Sequence, residues 1–290
     1  EHFDQALAVD SNYAPAYAGL ADSYIRLDEG GGPMIEEAVP KAKAAVTKAL
    51  EIDDSLAEAH ATLAFIKFRH EWDFVGADKE FKRAIELDPN YSEVHQWYAF
   101  YLLAVDKRDE AEVQINRAQE LDPTSVSLNS NLALYLFLRH EYDRSIEQAR
   151  KTLEMEPDFL LARMTLGLDY EQKGSNKEAI AELLKVQQVS QDVAAAASLG
   201  HVLAKDGEPN DARRLLAKIE EQAKKNYVPP YSLALLHAAL GNRQKALEWL
   251  ERGFQDRSLR PVWVKLDPRL DGLRQEPDFI RLIQRMGLSS

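Results

Sequence analysis

A large residue followed by Ala or Gly recurs along this chain in a nearly constant register. The pair stands at Leu20-Ala21, Leu63-Ala64, Tyr98-Ala99, Leu132-Ala133, Leu166-Gly167, Leu199-Gly200 and Leu233-Ala234, at successive spacings of 43, 35, 34, 34, 33 and 34 residues. A second set of marks runs in step. Ala84-Ile85-Glu86-Leu87-Asp88-Pro89 is echoed by Ala118 to Pro123 and by Thr152 to Pro157, and the prolines lie 34 apart each time. Ala6-Leu7-Ala8-Val9-Asp10 and Ala49-Leu50-Glu51-Ile52-Asp53 are copies without the Pro. A third mark, Gly174, Gly207 and Gly241, falls between helical stretches. A fixed period of this size means an architecture that grows by stacking. It overrides the two domains that 290 residues would otherwise suggest.

Each mark has a physical cause. Apolar residues recur at three- and four-residue spacing around it, which predicts pairs of amphipathic helices. The large and small residues belong on the buried face of the first helix of a pair, where the small one lets the second helix approach. Ala84 and Ala118 do the same from the second helix. Gly tolerates the positive φ of a helix end. Pro cannot continue a helix and starts the next one well. Such units cannot bury their faces alone, so they stack.

The pattern resembles the tetratricopeptide-repeat (TPR) family over nearly the whole chain. That family has a period of about 34 residues with a W-x2-L-G-x2-Y run followed by A-x3-F and P. Here Tyr98-Ala99, Ala111, Ile115, Ala118 and Pro123 keep the spacing, as do Tyr17, Leu20, Ala21 and Tyr24. The resemblance implies an all-α, right-handed superhelical solenoid of helix–turn–helix repeats closed by a C-terminal capping helix. We divide it into an array over 1–260 and a cap over 261–290. The array is a half repeat at 1–13 and seven repeats at 14–56, 57–91, 92–125, 126–159, 160–192, 193–226 and 227–260. Three places depart from the pattern. Nine extra residues around Glu29-Gly30-Gly31-Gly32-Pro33 predict a long turn, Lys67 stands where an aromatic is usual, and Ala194 to Ala197 offers little to pack.

The tail resembles the ending of a group of bacterial TPR regulators. The residues that carry this are Trp263-Val264-Lys265-Leu266-Asp267-Pro268-Arg269-Leu270-Asp271-Gly272-Leu273-Arg274, then Pro277-Asp278-Phe279 and Arg285-Met286-Gly287-Leu288. In those proteins the TPR half follows a winged-helix DNA-binding domain of the CadC-like type or a serine/threonine kinase domain. The resemblance implies a sensory or partner-binding half of a larger regulator. It also implies that first helices line a groove, through positions 2, 5, 6, 9, 12 and 13. These give Phe65, Phe68, Trp97, Phe100, Leu103, Asn131, Leu134, Phe137, Met164 and Leu168. The groove so defined is apolar and aromatic, the composition of an interaction site. The same stripe also fits packing between repeats, or a groove filled by a flanking segment of the chain itself. Only Asn131 fits the Lys, Arg and Asn set that clamps a terminal carboxylate in some relatives.

Composition narrows the functions further. Apolar residues make up 45% of the chain, too many for a disordered tail. The absence of cysteine excludes disulfides, thiolate metal sites and a Cys nucleophile, and leaves the compartment open. A formal net charge of -12 repels phosphate backbones, so nucleic acid is not expected as a partner of this region. No apolar run approaches the ~20 residues of a membrane span. The chain opens at Glu1 inside a helical pattern and reads as a piece of a longer protein, with any membrane segment upstream.

No two of the seven histidines stand three or four residues apart, as they do in HExxH, so no metal site is expected. His60 and His95 share one repeat position, which points to a structural role. His70 and His140 fall in matched runs at the turns between paired helices. Gly30-Gly31-Gly32-Pro33 lacks the Gly-Lys-Ser/Thr of a phosphate loop, and no Gly-x-Ser-x-Gly elbow is present. The expectation is a protein-binding scaffold with neither cofactor nor catalysis. The rivals are a small-ligand sensor, with its pocket in the groove or under the 28–40 loop, and a self-association module.

Overall fold

A computed structural model of the chain describes residues 2–29, 35–190 and 192–289. These residues form helices joined by turns, with no strand among them. They divide into two compact units, residues 1–121 and 122–290. The first holds α1 (His2–Val9), α2 (Ala14–Glu29), α3 (Ile35–Ile52), α4 (Ala57–Ile66), α5 (Phe74–Leu87), α6 (Ser92–Ala104) and α7 (Arg108–Leu121). The second holds α8 (Val126–Leu138), α9 (Tyr142–Met155), α10 (Leu160–Gln172), α11 (Asn176–Ser190), α12 (Val193–Lys205), α13 (Pro209–Ala223), α14 (Pro230–Ala239) and α15 (Arg243–Gln255). The second unit ends with α16 (Pro261–Leu266), a 3-10 turn at Pro268–Leu273, and α17 (Pro277–Arg285). Within each unit, helices pair as α2/α3, α4/α5, α6/α7, α8/α9, α10/α11, α12/α13 and α14/α15. The long turn at Gly30 to Pro33, with the core of the 28–40 loop, lies outside the described residues.

The small position of the register is buried. Ala21, Ala64, Ala99, Ala133 and Ala234 have no exposed surface. Where it is Gly, the neighbour has taken the space. A Cβ on Gly167 would lie 2.9 Å from Leu183 Cγ, and one on Gly200 would run into Leu236 Cδ2. The six described turns between paired helices, from α4/α5 to α14/α15, share one left-handed residue. It is Trp72 (φ 57°), Asp106 (62°), His140 (64°), Gly174 (74°), Gly207 (87°) and Gly241 (77°). In the α4/α5 pair this residue is Trp72, two positions on from His70. One residue too many separates Leu63 from Tyr98, and a π-helical turn at Lys67–Glu71 absorbs it.

The prolines act differently from the sequence expectation. Pro89, Pro123 and Pro157 sit in the turns, two residues after α5, α7 and α9 and three before α6, α8 and α10. Pro89 and Pro123 offer their carbonyls to a buried side chain six residues on. His95 Nε2 meets Pro89 O at 3.0 Å and Asn129 Nδ2 donates to Pro123 O at 2.9 Å. Arg163 donates to Pro157 O, and His60 Nε2 meets Asp54 O at 3.1 Å. Each of these side chains also reaches the second helix of its pair, at Gln114, Gln148, Glu182 and Glu80 respectively. The shared position of His60 and His95 is therefore a polar staple from turn to helix to helix. At the same position α12 has Ala196, which packs with Ala197 against Leu216, Ile219, Val228, Leu233 and Leu236.

Candidate functional site

In the first unit, the groove residues proposed from the sequence lie largely in the interior. Phe65 lies 4.8 Å from Trp97, ring to ring, with the Arg69 guanidinium 5.3 Å above Phe65. Phe68 points away into an aromatic interior, edge-on to Tyr101 at 5.5 Å and 6.2 Å from Phe74. Phe65, Phe68, Trp97 and Leu103 are buried, and Phe100 is half-buried. Beside them Arg26 joins Asp22 (2.8 Å) and Glu93 (2.9 Å), and Tyr91 donates to Glu93 at 2.9 Å. Burial beside Glu93 pushes the Tyr91 phenol well above its ordinary range.

In the second unit, Leu134, Phe137 and Leu168 are buried, while Asn131 and Met164 are half-buried. Met164 packs against Ala179, Leu183, Leu199 and Val202, so it joins neighbouring hairpins. Phe137 is fully covered, and part of that cover is Trp263, 6.3 Å away between ring centres.

Trp263 belongs to the segment that follows the last hairpin. That segment runs back across the first helices of the second unit. His140 Nε2 meets the carbonyl of Leu266 at 3.2 Å, which caps the C-terminal end of α16. Arg274 adds bonds to Lys265 O (2.6 Å) and Asp267 O (3.0 Å). Arg269 grips Asp267 through two nitrogens, at 2.9 and 2.6 Å, and donates to Ser198 Oγ at 2.9 Å. Tyr231 donates to Asp267 at 2.6 Å, and its ring lies 6.5 Å from Trp263. Beyond this, α17 is tied to α15 by Arg285 and Glu251, at 2.7 Å.

The electrostatics follow from burial and pairing. Asp267 is held below the ordinary carboxylate range by the Arg269 guanidinium, against the cost of burial. Glu171, also fully buried, is kept low by His201, with Arg269 and Lys205 adding to the effect. Asp169 has no cation at hand, and burial pushes it up to about 8. Its geometry agrees. Ser145 Oγ lies 2.8 Å from Ala133 O and 2.6 Å from Asp169 Oδ2. A hydroxyl has one proton, so both contacts are satisfied when Asp169 is protonated and donates to Ser145.

The sequence reading placed Trp263 to Arg274 in a cap and did not assign Ser198, Tyr231, Asp267 or Arg269 to a site. The signal was present as a break in the period after residue 260 that kept Trp263, Leu266 and Leu270. Among the described residues, no group of three or more His, Asp or Glu could hold a metal ion. No described helix is long and apolar enough to cross a membrane.

No family model matches the chain. Over 90 residues it is 37% identical to the type IV pilus assembly protein PilF of Pseudomonas aeruginosa PAO1, a match spanning 31% of this chain and 34% of that protein. The solved structure of Pseudomonas aeruginosa PilF aligns with a TM-score of 0.54 at 20% identity, covering 78% of this chain and 95% of that one. PilW, described as a widely conserved type IV pilus biogenesis factor, aligns with a TM-score of 0.59 at 18% identity over 76% and 96%. Human IFIT1, solved as a dimer with m7Gppp-AAAA, aligns with a TM-score of 0.67 at 15% identity over 94% and 67%. Taken with the paired helices and their register, these likenesses identify the fold as an all-helical repeat array of the tetratricopeptide type.

Proposed function

We propose that this chain is a protein-interaction scaffold, the regulatory or sensory half of a larger bacterial signalling or transcription regulator. One observation carries the reading: the first-helix face of the second unit already holds a polypeptide, residues 261–273 of the chain itself. A face that seats one segment through an aromatic ring, a backbone carbonyl and a buried ion pair has the chemistry to seat another. In the first unit, the corresponding helices carry Phe65, Trp97 and Phe100, with Arg26 and Glu93 beside them. We assign the external partner, a protein or peptide, to that face. The net charge of -12 argues against nucleic acid there, and neither catalysis nor a cofactor is part of the reading.

The test is a crosslinked pull-down with the full chain and a Phe100→Ala variant. A partner captured by the wild type should be lost by the variant, with an affinity drop of roughly 10- to 100-fold once the pair is purified, the range of an aromatic hot spot. Equal capture by both chains, with both melting at the same temperature, removes the first unit's face from consideration.

A further inference from the structure

The segment seated on the second unit displays what that face reads. Trp263 sits against Phe137 and Tyr231, at 6.3 and 6.5 Å. The carbonyl of Leu266 is met by His140, a contact that does not depend on the side chain at position 266. Arg269 and Asp267 enter as a pair, and the face supplies the Ser198 hydroxyl to the guanidinium and the Tyr231 hydroxyl to the carboxylate, with the buried Glu171 carboxylate acting on Arg269 at longer range. The charges neutralise each other within the segment, so the ligand carries its own counter-ion into the buried site.

This division of labour matters. A buried ion pair adds little net stability, because desolvation offsets most of the Coulombic gain, yet it strongly penalises a segment in which one partner is missing. The pair therefore selects a sequence more than it tightens the hold. The segment is tethered to the end of α15, so its effective concentration at the face is high. A competitor is admitted for the fraction of time in which the segment is off the face.

We propose that the first-helix face of the second unit is an interaction surface for a polypeptide bearing an aromatic residue four positions before an Asp-Pro-Arg turn, and that residues 261–273 are its occupant in cis, displaced by such a partner. The proposal rests on reading the first-helix faces as polypeptide-binding surfaces. The partner segment takes the positions of Trp263, Asp267 and Arg269 and meets His140 through its main chain.

The probe is a fluorescein-labelled synthetic peptide of residues 258–276, titrated by anisotropy against the full chain. Two chains are compared, wild type and Trp263→Ala. The substitution loosens the occupant and leaves Phe137, Tyr231, His140 and Ser198 in place. The variant should bind the peptide at least tenfold more tightly than the wild type, and a peptide with the same Trp263→Ala change should bind it at least tenfold more weakly. Equal affinity of the two chains, with the variant folded by circular dichroism, overturns the proposal. If the variant does not fold, hydrogen exchange on the wild type decides. Excess unlabelled peptide should raise exchange of the chain's own amides 262–272 at least threefold while α10 and α12 stay protected, and unchanged exchange overturns the proposal. Capture through Phe100 is measured in parallel, so a failure here with that capture intact removes this site alone and leaves the scaffold reading standing.

Discussion

Asp169 gives the sharpest test of the interior of the second unit. Burial with only Ser145 as partner raises its carboxyl from 3.8 to about 8. The unfolded chain releases this proton near pH 4 and the folded chain keeps it until near pH 8. Between those limits the folded state binds one more proton than the unfolded state, so stability falls by about 1.4 kcal/mol per pH unit as pH rises. The contribution is fully present below pH 4 and is lost progressively towards pH 8. At pH 7 the accumulated cost is about 4 kcal/mol. Asn in place of Asp169 keeps the shape and a donor towards Ser145 and does not titrate. It leaves one buried N–H to be satisfied, which costs about 1–3 kcal/mol at every pH. The difference in unfolding free energy between Asp169→Asn and wild type should therefore climb by about 1.4 kcal/mol per unit from pH 5 to pH 7. Comparing the two chains at each pH cancels the titration of every other group. Urea unfolding followed by circular dichroism at pH 5, 6 and 7 measures it. A difference that stays flat across that range would mean that Asp169 is ionised in the fold, and the Ser145 proton argument would fail with it.

Three further expectations follow from the same geometry. Gly241→Ala meets no atom within 4 Å but must hold φ near 77°, so it should cost about 1–2 kcal/mol from backbone strain alone; thermal melts showing no loss would refute that. Gly200→Ala should cost about 1–3 kcal/mol by overpacking against buried Leu236, and the companion change Leu236→Ala should abolish the Gly200 penalty in a double-mutant cycle. Asn129→Ala strips partners from Pro123 O and Gln148 and should cost about 1–3 kcal/mol, and a loss below about 0.5 kcal/mol would show that the staple contributes nothing.

The helices were legible because a repeat writes the same local physics many times. Ala99, Ala133 and Gly167 are small for one reason, and a period of 34 makes that reason visible without a structure. Two local features escaped. The left-handed turn residue was readable as Gly174, Gly207 and Gly241, but Trp72, Asp106 and His140 occupy the same conformation without the glycine that announces it. Burial of Trp72 helps to offset its strain, and no local pattern records such a compensation. The turn prolines were expected to open helices. They sit outside them because their carbonyls are committed to side chains six residues on, a pairing that the spacing of Pro89 and His95 contains but that helix propensity does not.

The candidate site was less legible, and the reason is range. An amphipathic stripe tells which residues of a helix avoid water, not whether a partner or the chain itself excludes it. Phe137 satisfies the groove pattern and is buried all the same, with Trp263 against it from 126 residues further along. The clue lay in the chemistry of the covering segment. A solvent-facing cap has no need of a fully buried Arg269 bonded to both Asp267 and Ser198, whereas a segment crossing a helical face must satisfy every polar group it takes out of water. Asp267, Pro268 and Arg269 are the residues at which the repeat pattern has already ended, so the departure from the period marked where the chain turns back on its own first helices.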